Sequence, residues 1–492
     1  MTAMVDSTPF GSNARFRTRD DYARSVPVHC VWEITLGCDL RCKHCGSRAG
    51  AKRKNELTLA ECEDVVAHLA RLGTREVNLI GGEVYLRKDW LDIIASVKAH
   101  GMRCLIQSGG RNLTKDRISR AKDAGIDGLG ISIDGLGLTH DQLRGVIGSF
   151  ESAQSALRHA AALSVETSVN TQLNRNSVAE LDALLELLIS HQVGYWQLQL
   201  TVPMGNASDN DEIILQPHDL LTVMPRLAEI YRKARGRGVQ IVIGNNIGYF
   251  GPYEHLWRGL GDERVHWTGC SAGETVIALE SDGTVKGCPS LETGAYRLGN
   301  VRDLTPSDIW EAQDNRNPYH KTGRNRLKGF CQTCYYANVC KAGCTWMAHS
   351  LLDAAGDNPY CHYRALKLHD RGVRERVEKI SDAGPAPFST ARYRLIQEPV
   401  ARRRPQAYPA APGPDEAHAP ASQAGFLDLC GNCREYVFEN EETCPHCQQN
   451  LLESRKSLLS RQAEAERCAN RLAAALRVLE ANSQLFFTGA RS

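Results

Sequence analysis

Fourteen of the chain's eighteen cysteines fall into three spaced groups, and nothing else in its 492 residues restricts the fold as much. The groups are Cys38/Cys42/Cys45, then Cys270/Cys288/Cys331/Cys334/Cys340/Cys344/Cys361, then Cys430/Cys433/Cys444/Cys447. The N-terminus to about Arg24 is polar, carries mixed charge and lacks the apolar core of a secretory signal. No apolar run approaches the ~20 residues that a membrane span requires. A cytoplasmic chain without a membrane partner is therefore expected. Thiols stay reduced there, and patterned cysteines point to metal rather than disulfides. Lys+Arg of 59 against Asp+Glu of 57 leaves a net charge of +2, which gives no whole-chain case for nucleic acid.

Between about Val28 and Val242, short apolar runs alternate with amphipathic stretches. Strands are predicted at 31–35, 77–80, 103–107, 129–133, 166–171 and 196–201. Helices are predicted at 59–72, with Thr58 as N-cap, and near 90–100, 115–124, 149–163 and 178–191. About six βα units in series imply an α/β fold: a parallel sheet closed, or nearly closed, into a partial (β/α)6 TIM-like barrel. Its active site would lie at the C-terminal ends of the strands. The expected divisions are a lead-in at 1–26, the barrel at 27–243 and a cysteine-rich extension at 244–382 that leans on metal for its fold. A Pro/Ala-rich, mostly unfolded linker at 383–424, a zinc-ribbon-like module at 425–450 and a C-terminal helix and tail at 451–492 complete the chain.

Cys38-Asp-Leu-Arg-Cys42-Lys-His-Cys45 follows the first predicted strand directly. Three thiolates on one short loop suit three irons of a [4Fe–4S] cube and leave the fourth open to a small molecule. The competing reading is a zinc knuckle short of a ligand, with His44 between two cysteines as the nearby candidate. The barrel position, and Gly81-Gly82-Glu83 at the end of the second strand, argue independently for the cube. This loop resembles that of the radical S-adenosylmethionine (radical SAM) family. The resemblance implies that the open iron chelates SAM and that reductive cleavage yields a hydrogen-abstracting 5′-deoxyadenosyl radical. It also implies that Gly81 and Gly82 let the backbone approach the methionyl group and that Glu83 accepts from its ammonium. Ser132 and Arg144 are carried over as further SAM-binding residues, with Asn170 beside them. Val84 stands where the family usually has proline, and His44 where an aromatic residue is common.

The seven-cysteine group resembles the SPASM extension of radical SAM enzymes at every spacing. By that resemblance, Cys331, Cys334, Cys340 and Cys361 hold one auxiliary [4Fe–4S] cluster. Cys270, Cys288 and Cys344 hold another, whose fourth ligand is an open iron, a water or a substrate group. Two zinc sites are the plainer reading of the same cysteines. Pro289 follows Cys288 where sulfatase-maturing relatives place an aspartate base, which argues against formylglycine formation.

Cys430-x2-Cys433 and Cys444-x2-Cys447 fit a closed, four-thiolate structural zinc site, with a docking module as the sharper alternative. Leu451, Leu458, Ala465, Leu472 and Leu479 recur every seven residues, which suggests the seam of a pairing helix and a route to a homodimer, with a helix packed within the chain as the equal alternative. Cys30, Cys62, Cys104 and Cys468 read as small apolar residues.

The resemblance implies a maturase acting on a peptide or protein, a ribosomally made precursor peptide above all, with oxidative cross-linking as one outcome. Haem- or quinone-type cofactor biosynthesis is the alternative within enzymes, and a non-catalytic iron–sulfur carrier or scaffold the alternative outside them. A flavodoxin or ferredoxin would supply electrons. Because 37 residues precede Cys38, leader recognition is assigned to a separate protein, the barrel face or the C-terminal module. The segments 197–205 and 244–252 are placed on the substrate side, with plain turns as the alternative.

Overall fold

The structure is a computed structural model that describes residues 13–15, 17–258, 265–312, 327–353, 355–400, 427–453 and 455. The chain divides into two units; the described residues through Val400 belong to the first and those from Leu427 to the second.

Seven strands form the parallel body of the first unit: β1 (His29–Thr35), β2 (Glu76–Gly81), β3 (Arg103–Ser108), β4 (Gly128–Ser132), β5 (Thr167–Leu173), β6 (Tyr195–Leu200) and β7 (Gln240–Ile243). They pair in sequence order, each parallel to the next. Strands buried on both faces need near-continuous apolar runs, and β1 is buried along almost its whole length. The helices between them turn one apolar stripe inward. In Leu59–Arg71 the buried residues are Cys62, Val65, Val66 and Leu69, spaced as one helical face, and Thr58 caps the start in a reciprocal capping box with Glu61. Cys30, Cys62 and Cys104 are core residues.

The sheet extends beyond the six strands expected. β7 adds a seventh on one edge. On the other, β8 (Val276–Leu279) pairs parallel to β1, and β9 (Thr284–Lys286) and β10 (Arg297–Asn300) follow antiparallel. The resulting order is β10-β9-β8-β1-β2-β3-β4-β5-β6-β7. The cysteine-rich extension is thus joined edge to edge with the strand that leads into the first cysteine loop.

The stretch 383–400, expected as unfolded linker, is folded. β11 (Val373–Ser381) and β12 (Arg392–Pro399) form an antiparallel hairpin whose tip packs on the first cysteine loop. Val373-Arg-Glu-Arg-Val-Glu-Lys-Ile alternates in the manner of a half-buried strand, and this local pattern prevails over the proline content of the following segment. The rest of the expected linker, 401–424, lies outside the described residues, as do Leu458, Ala465, Cys468, Leu472 and Leu479. Among the described residues no helix is long and apolar enough to cross a membrane.

Candidate active site

The loop carrying Cys38, Cys42 and Cys45 leaves β1 and is clamped from both sides. The Cys38 N–H donates to the Gly50 carbonyl at 3.0 Å and the Gly50 N–H to the Leu36 carbonyl at 2.9 Å. On one flank, the Arg41 and Lys43 N–H groups donate to the carbonyls of Arg144 and Leu143, at 3.0 and 2.8 Å. On the other, Asn206 donates its backbone N–H to the Cys45 carbonyl and its side-chain amide to the Cys42 carbonyl, both at 2.9 Å. Both clamps require glycine. At Gly145 (φ 68°) and Gly205 (φ 57°) a Cβ would stand 2.3 Å from the Arg41 and Gly46 carbonyl oxygens.

Gly81, Gly82 and Glu83 lie against the same loop. The Gly82 N–H donates to the Thr35 carbonyl at 2.8 Å and the Glu83 N–H to the Gly37 carbonyl at 2.7 Å. A Cβ on Gly81 or Gly82 would come within 2.2 Å of those oxygens. The glycines therefore answer first to the cysteine loop's own backbone, a demand the sequence reading did not include. The Glu83 carboxylate is buried, and accepts from the Ser108 hydroxyl and, at 2.7 Å, from the Gly109 N–H. Burial pushes its carboxyl up to about 7 against the pull of these two donors.

At the neighbouring strand ends, Gln107 on β3 donates to Ser132 Oγ on β4 at 3.2 Å and accepts from the Asn170 amide on β5 at 3.1 Å. Ser132 and Asn170 are thus joined through a residue that sequence reasoning missed. Its signal was a polar amide closing the otherwise apolar run Cys104-Leu-Ile-Gln107. Arg144 pairs with Asp134 at 2.5 Å, and its Nη1 lies 3.7 Å from Cys42 Sγ. His44 Nε2 lies 3.1 Å from the same Asp134 oxygen. Burial works to raise the Asp134 carboxyl, but Arg144 and His44 hold it well below the usual carboxylate range. One cavity of about 860 Å³ is bounded by all three cysteines and by Gly81, Gly82, Glu83, Ser132, Arg144 and Asn170.

The seven later cysteines separate in space into two sets. Cys331, Cys334, Cys340 and Cys361 line a pocket among aromatic rings that include Phe250, Tyr336 and Tyr363. Cys270, Cys288 and Cys344 line a larger cavity of about 1050 Å³, whose walls include Gln197 and Gln199 of β6 and the run 244–246. Gln199 also bounds the first cavity, so one side chain lies on the boundary of both. Burial pushes the Cys38, Cys42, Cys344 and Cys361 thiols each up to about 12, and a bound cation would favour their thiolate forms.

A family model described as the radical SAM superfamily matches residues 32–188, the span holding the first cysteine loop, Glu83 and Arg144. A second, SPASM, described as an iron–sulfur cluster-binding domain, matches residues 270–335. The chain is a radical SAM/SPASM enzyme. Among curated relatives of this enzyme, an AdoMet-dependent heme synthase of Methanosarcina barkeri is 28% identical over 355 residues, covering 70% of this chain and 98% of that protein. The mycofactocin maturase MftC of Mycobacterium tuberculosis is 25% identical over 324 residues, covering 65% of this chain and 78% of its own. Two solved structures share the fold. SuiB of Streptococcus suis bound to S-adenosylmethionine has a TM-score of 0.53 at 16% identity, over 65% of this chain and 74% of that one. The enzyme anSMEcpe with bound AdoMet has a TM-score of 0.55 at 18% identity, over 69% and 95%.

The radical SAM domain implies a SAM-binding [4Fe–4S] cluster and the SPASM domain auxiliary clusters. The residues present fit them: three cavities, each walled by one set of thiols. The last cysteine group is built differently. Cys430, Cys433, Cys444 and Cys447 converge with all four sulfurs within 4.8 Å of one another, the spacing of a single ion. Among the described residues the other such convergence is Cys38–Asp39–Glu83. The second unit sets its two cysteine pairs on equivalent turns. The Arg434 N–H donates to the Cys430 carbonyl at 3.0 Å and the Gln448 N–H to the Cys444 carbonyl at 2.8 Å. Both donors are left-handed, with φ of 63° and 60°. A two-stranded hairpin, β13 (Leu427–Leu429) and β14 (Tyr436–Phe438), adjoins them, and the sulfurs pack with Val437 and Leu451.

Proposed function

We propose that this radical SAM/SPASM enzyme abstracts hydrogen from a peptide or protein, a precursor peptide above all, and releases an oxidised product such as a cross-linked peptide. The observation that carries the oxidative reading is Gln199, which borders both the Cys38/Cys42/Cys45 cavity and the Cys270/Cys288/Cys344 cavity. A substrate held there faces a radical source and an electron acceptor at once. When bound, the first cluster and SAM supply a 5′-deoxyadenosyl radical that takes a hydrogen atom.

This chain's residues do the rest. Cys38, Cys42 and Cys45 hold three irons on a loop that cannot shift without breaking the clamps at Arg144 and Asn206. Glu83, with Gly81 and Gly82 behind it, accepts from the SAM ammonium. Ser132, Asn170 and the bridging Gln107 face the remainder of the nucleotide. Arg144 holds positive charge beside the Cys42 thiolate and is itself fixed by Asp134. Cys331, Cys334, Cys340 and Cys361 enclose one auxiliary cluster among aromatic rings that exclude water. Cys270, Cys288 and Cys344 hold the other against the substrate space. A flavodoxin or ferredoxin is the proposed donor. Cys430, Cys433, Cys444 and Cys447 hold one zinc ion, which closes a core too small to stand without it.

Support for a peptide substrate comes from the mycofactocin maturase relative and from a solved structure of SuiB bound to its precursor peptide SuiA. A tetrapyrrole is the second reading. It is favoured by the heme-synthase relatives and by Arg15 and Arg17 on the wall of the larger cavity, cations of the kind that hold carboxylates. The test is anaerobic turnover of the reconstituted enzyme with SAM and a low-potential reductant. A candidate precursor peptide is offered in one sample and an iron porphyrin bearing propionates in another. Substrate-dependent 5′-deoxyadenosine with peptide mass falling by about 2 Da per cross-link (two hydrogens lost) supports the maturase reading. Loss of a propionate carboxylate instead replaces it with the tetrapyrrole reading. No 5′-deoxyadenosine with any substrate, or equal amounts from the triple Cys38/Cys42/Cys45→Ala variant, defeats both.

A further inference from the structure

The run 244–252 contains a turn that the reaction above does not use. Gly248, Tyr249, Phe250 and Gly251 are all left-handed in succession, with φ of 99°, 69°, 65° and 84°. Glycine adopts such angles freely; tyrosine and phenylalanine do so only when their surroundings force them. Strain of this kind gathers where a side chain must be aimed at one place, so the contacts of these two rings indicate what the turn is for.

Tyr249 stands between the two auxiliary cysteine sets. Its ring is buried, with 1% of its surface exposed. Its hydroxyl accepts the Cys344 N–H at 3.0 Å and donates to the Asn245 carbonyl, on the wall of the larger cavity. Its backbone carbonyl oxygen lies 3.4 Å from Cys361 Sγ, in the other set. Gly343, just before Cys344, lies flat on the ring, since a Cβ there would be 2.7 Å from it. Phe250 stacks on Tyr336 at 3.7 Å in the wall of the Cys331/Cys334/Cys340/Cys361 pocket. One residue therefore reaches both thiol sets through different atoms, its hydroxyl toward Cys344 and its carbonyl toward Cys361.

We propose that Tyr249 is a positioning residue that sets the electrostatics of the two auxiliary sites together, a role that rests on the iron–sulfur reading above. Donors and dipoles close to ligating sulfurs tune a cluster's potential. The Cys344 sulfur accepts the N–H groups of Trp346 and Met347, and the Tyr249 hydroxyl, by accepting the Cys344 N–H, fixes the backbone that carries them; such donors favour the reduced, more negative cluster. A carbonyl oxygen aimed at Cys361 Sγ acts in the opposite sense on the other cluster. Removing the hydroxyl alone loosens the backbone that aims those two donors and leaves the Cys361 contact in place. Replacing the residue with glycine removes the ring and lets the turn relax, so both contacts change.

The test is a potentiometric titration followed by electron paramagnetic resonance. It uses the full-length chain with Cys38, Cys42 and Cys45 replaced by alanine, so that only the auxiliary clusters report. Their signals are assigned by adding Cys288→Ala in one sample and Cys361→Ala in another. Tyr249→Phe is expected to lower the potential of the Cys270/Cys288/Cys344 site alone, with iron content unchanged, and Tyr249→Gly to shift both sites. The proposal is overturned if Tyr249→Phe leaves both potentials where they were. It is equally overturned if that variant moves both sites together or loses iron from both, as a general packing defect would. Lack of auxiliary clusters in the Tyr249 background defeats the iron–sulfur reading itself, and this proposal with it.

Discussion

Asp134 shows how much of the site depends on one buried charge. It is fully buried, and Arg144 and His44 converge on one of its oxygens while the Gln172 N–H donates to the other at 2.8 Å. Asp134→Asn takes from the buried Arg144 the carboxylate it is paired with. Breaking a buried pair costs about 3–5 kcal/mol, and the expected outcome is a loss of that size in anaerobic chemical denaturation, with weaker SAM binding. A second prediction concerns acid. His140 accepts the Asp134 N–H at 3.1 Å, and burial depresses its pKa to about 4, from about 6.5 when unfolded. Between those values the unfolded chain binds the extra proton, so stability falls as pH drops through about 6.5 toward 4. The loss reaches about 3 kcal/mol by pH 4, and His140→Gln should flatten that part of a pH–stability profile. At this scale the sequence was uneven. The metal thiols were legible because cluster ligands crowd onto short loops with fixed spacing. Gln107 was not, because its two partners arrive from other strands and no local spacing records them. Asp134 and Arg144 sit ten positions apart, but only the fold brings His44 to the same oxygen.

The hairpin of β11 and β12 is the element whose role was least visible beforehand. Its tip reaches the first cysteine loop: the Phe388 N–H donates to the Gly46 carbonyl at 3.1 Å and the Gly205 N–H to the Ser389 carbonyl at 2.8 Å. The Phe388 ring is buried beneath Lys286, whose ammonium lies 4.2 Å from the ring centre and two residues before Cys288. Removing a buried phenylalanine ring costs about 3–5 kcal/mol of packing. Phe388→Ala is therefore expected to undock the tip and to make the Cys38/Cys42/Cys45 cluster bleach several-fold faster in air, followed by absorbance, with far-UV circular dichroism unchanged. The barrel strands and their helices were legible because period-two and period-3.6 patterns persist over whole elements. The hairpin was hidden because eight prolines, averaged over 383–423, coloured a segment in which only Pro385, Pro387 and Pro399 precede residue 400. β8 was equally hard to foresee, since four residues, Val276–Leu279, carry too little pattern to announce a strand that crosses back to β1.

Across the whole molecule the cysteine groups specify a metal inventory. Three four-iron clusters and one mononuclear site predict about twelve irons and about one zinc per chain in anaerobically reconstituted protein. Cys430→Ser with Cys433→Ser should remove the zinc and leave iron unchanged. Iron in place of zinc at that quartet, or oxidised sulfur pairs there, would overturn the single-zinc assignment. A last consequence follows from the pairing of β8 with β1, in which His29, Cys30, Val31 and Trp32 meet Val276, Ile277, Ala278 and Leu279. A gene truncated after codon 243 would strip that neighbour away and leave four largely apolar positions, three of them buried, as a raw seam. Such a fragment should stick to copies of itself rather than survive as a minimal catalyst, and light scattering of the purified product would reveal the clumping. Parting the two cysteine-bearing halves breaks a backbone ladder rather than a side-chain contact, and exposes an unpaired strand edge on each.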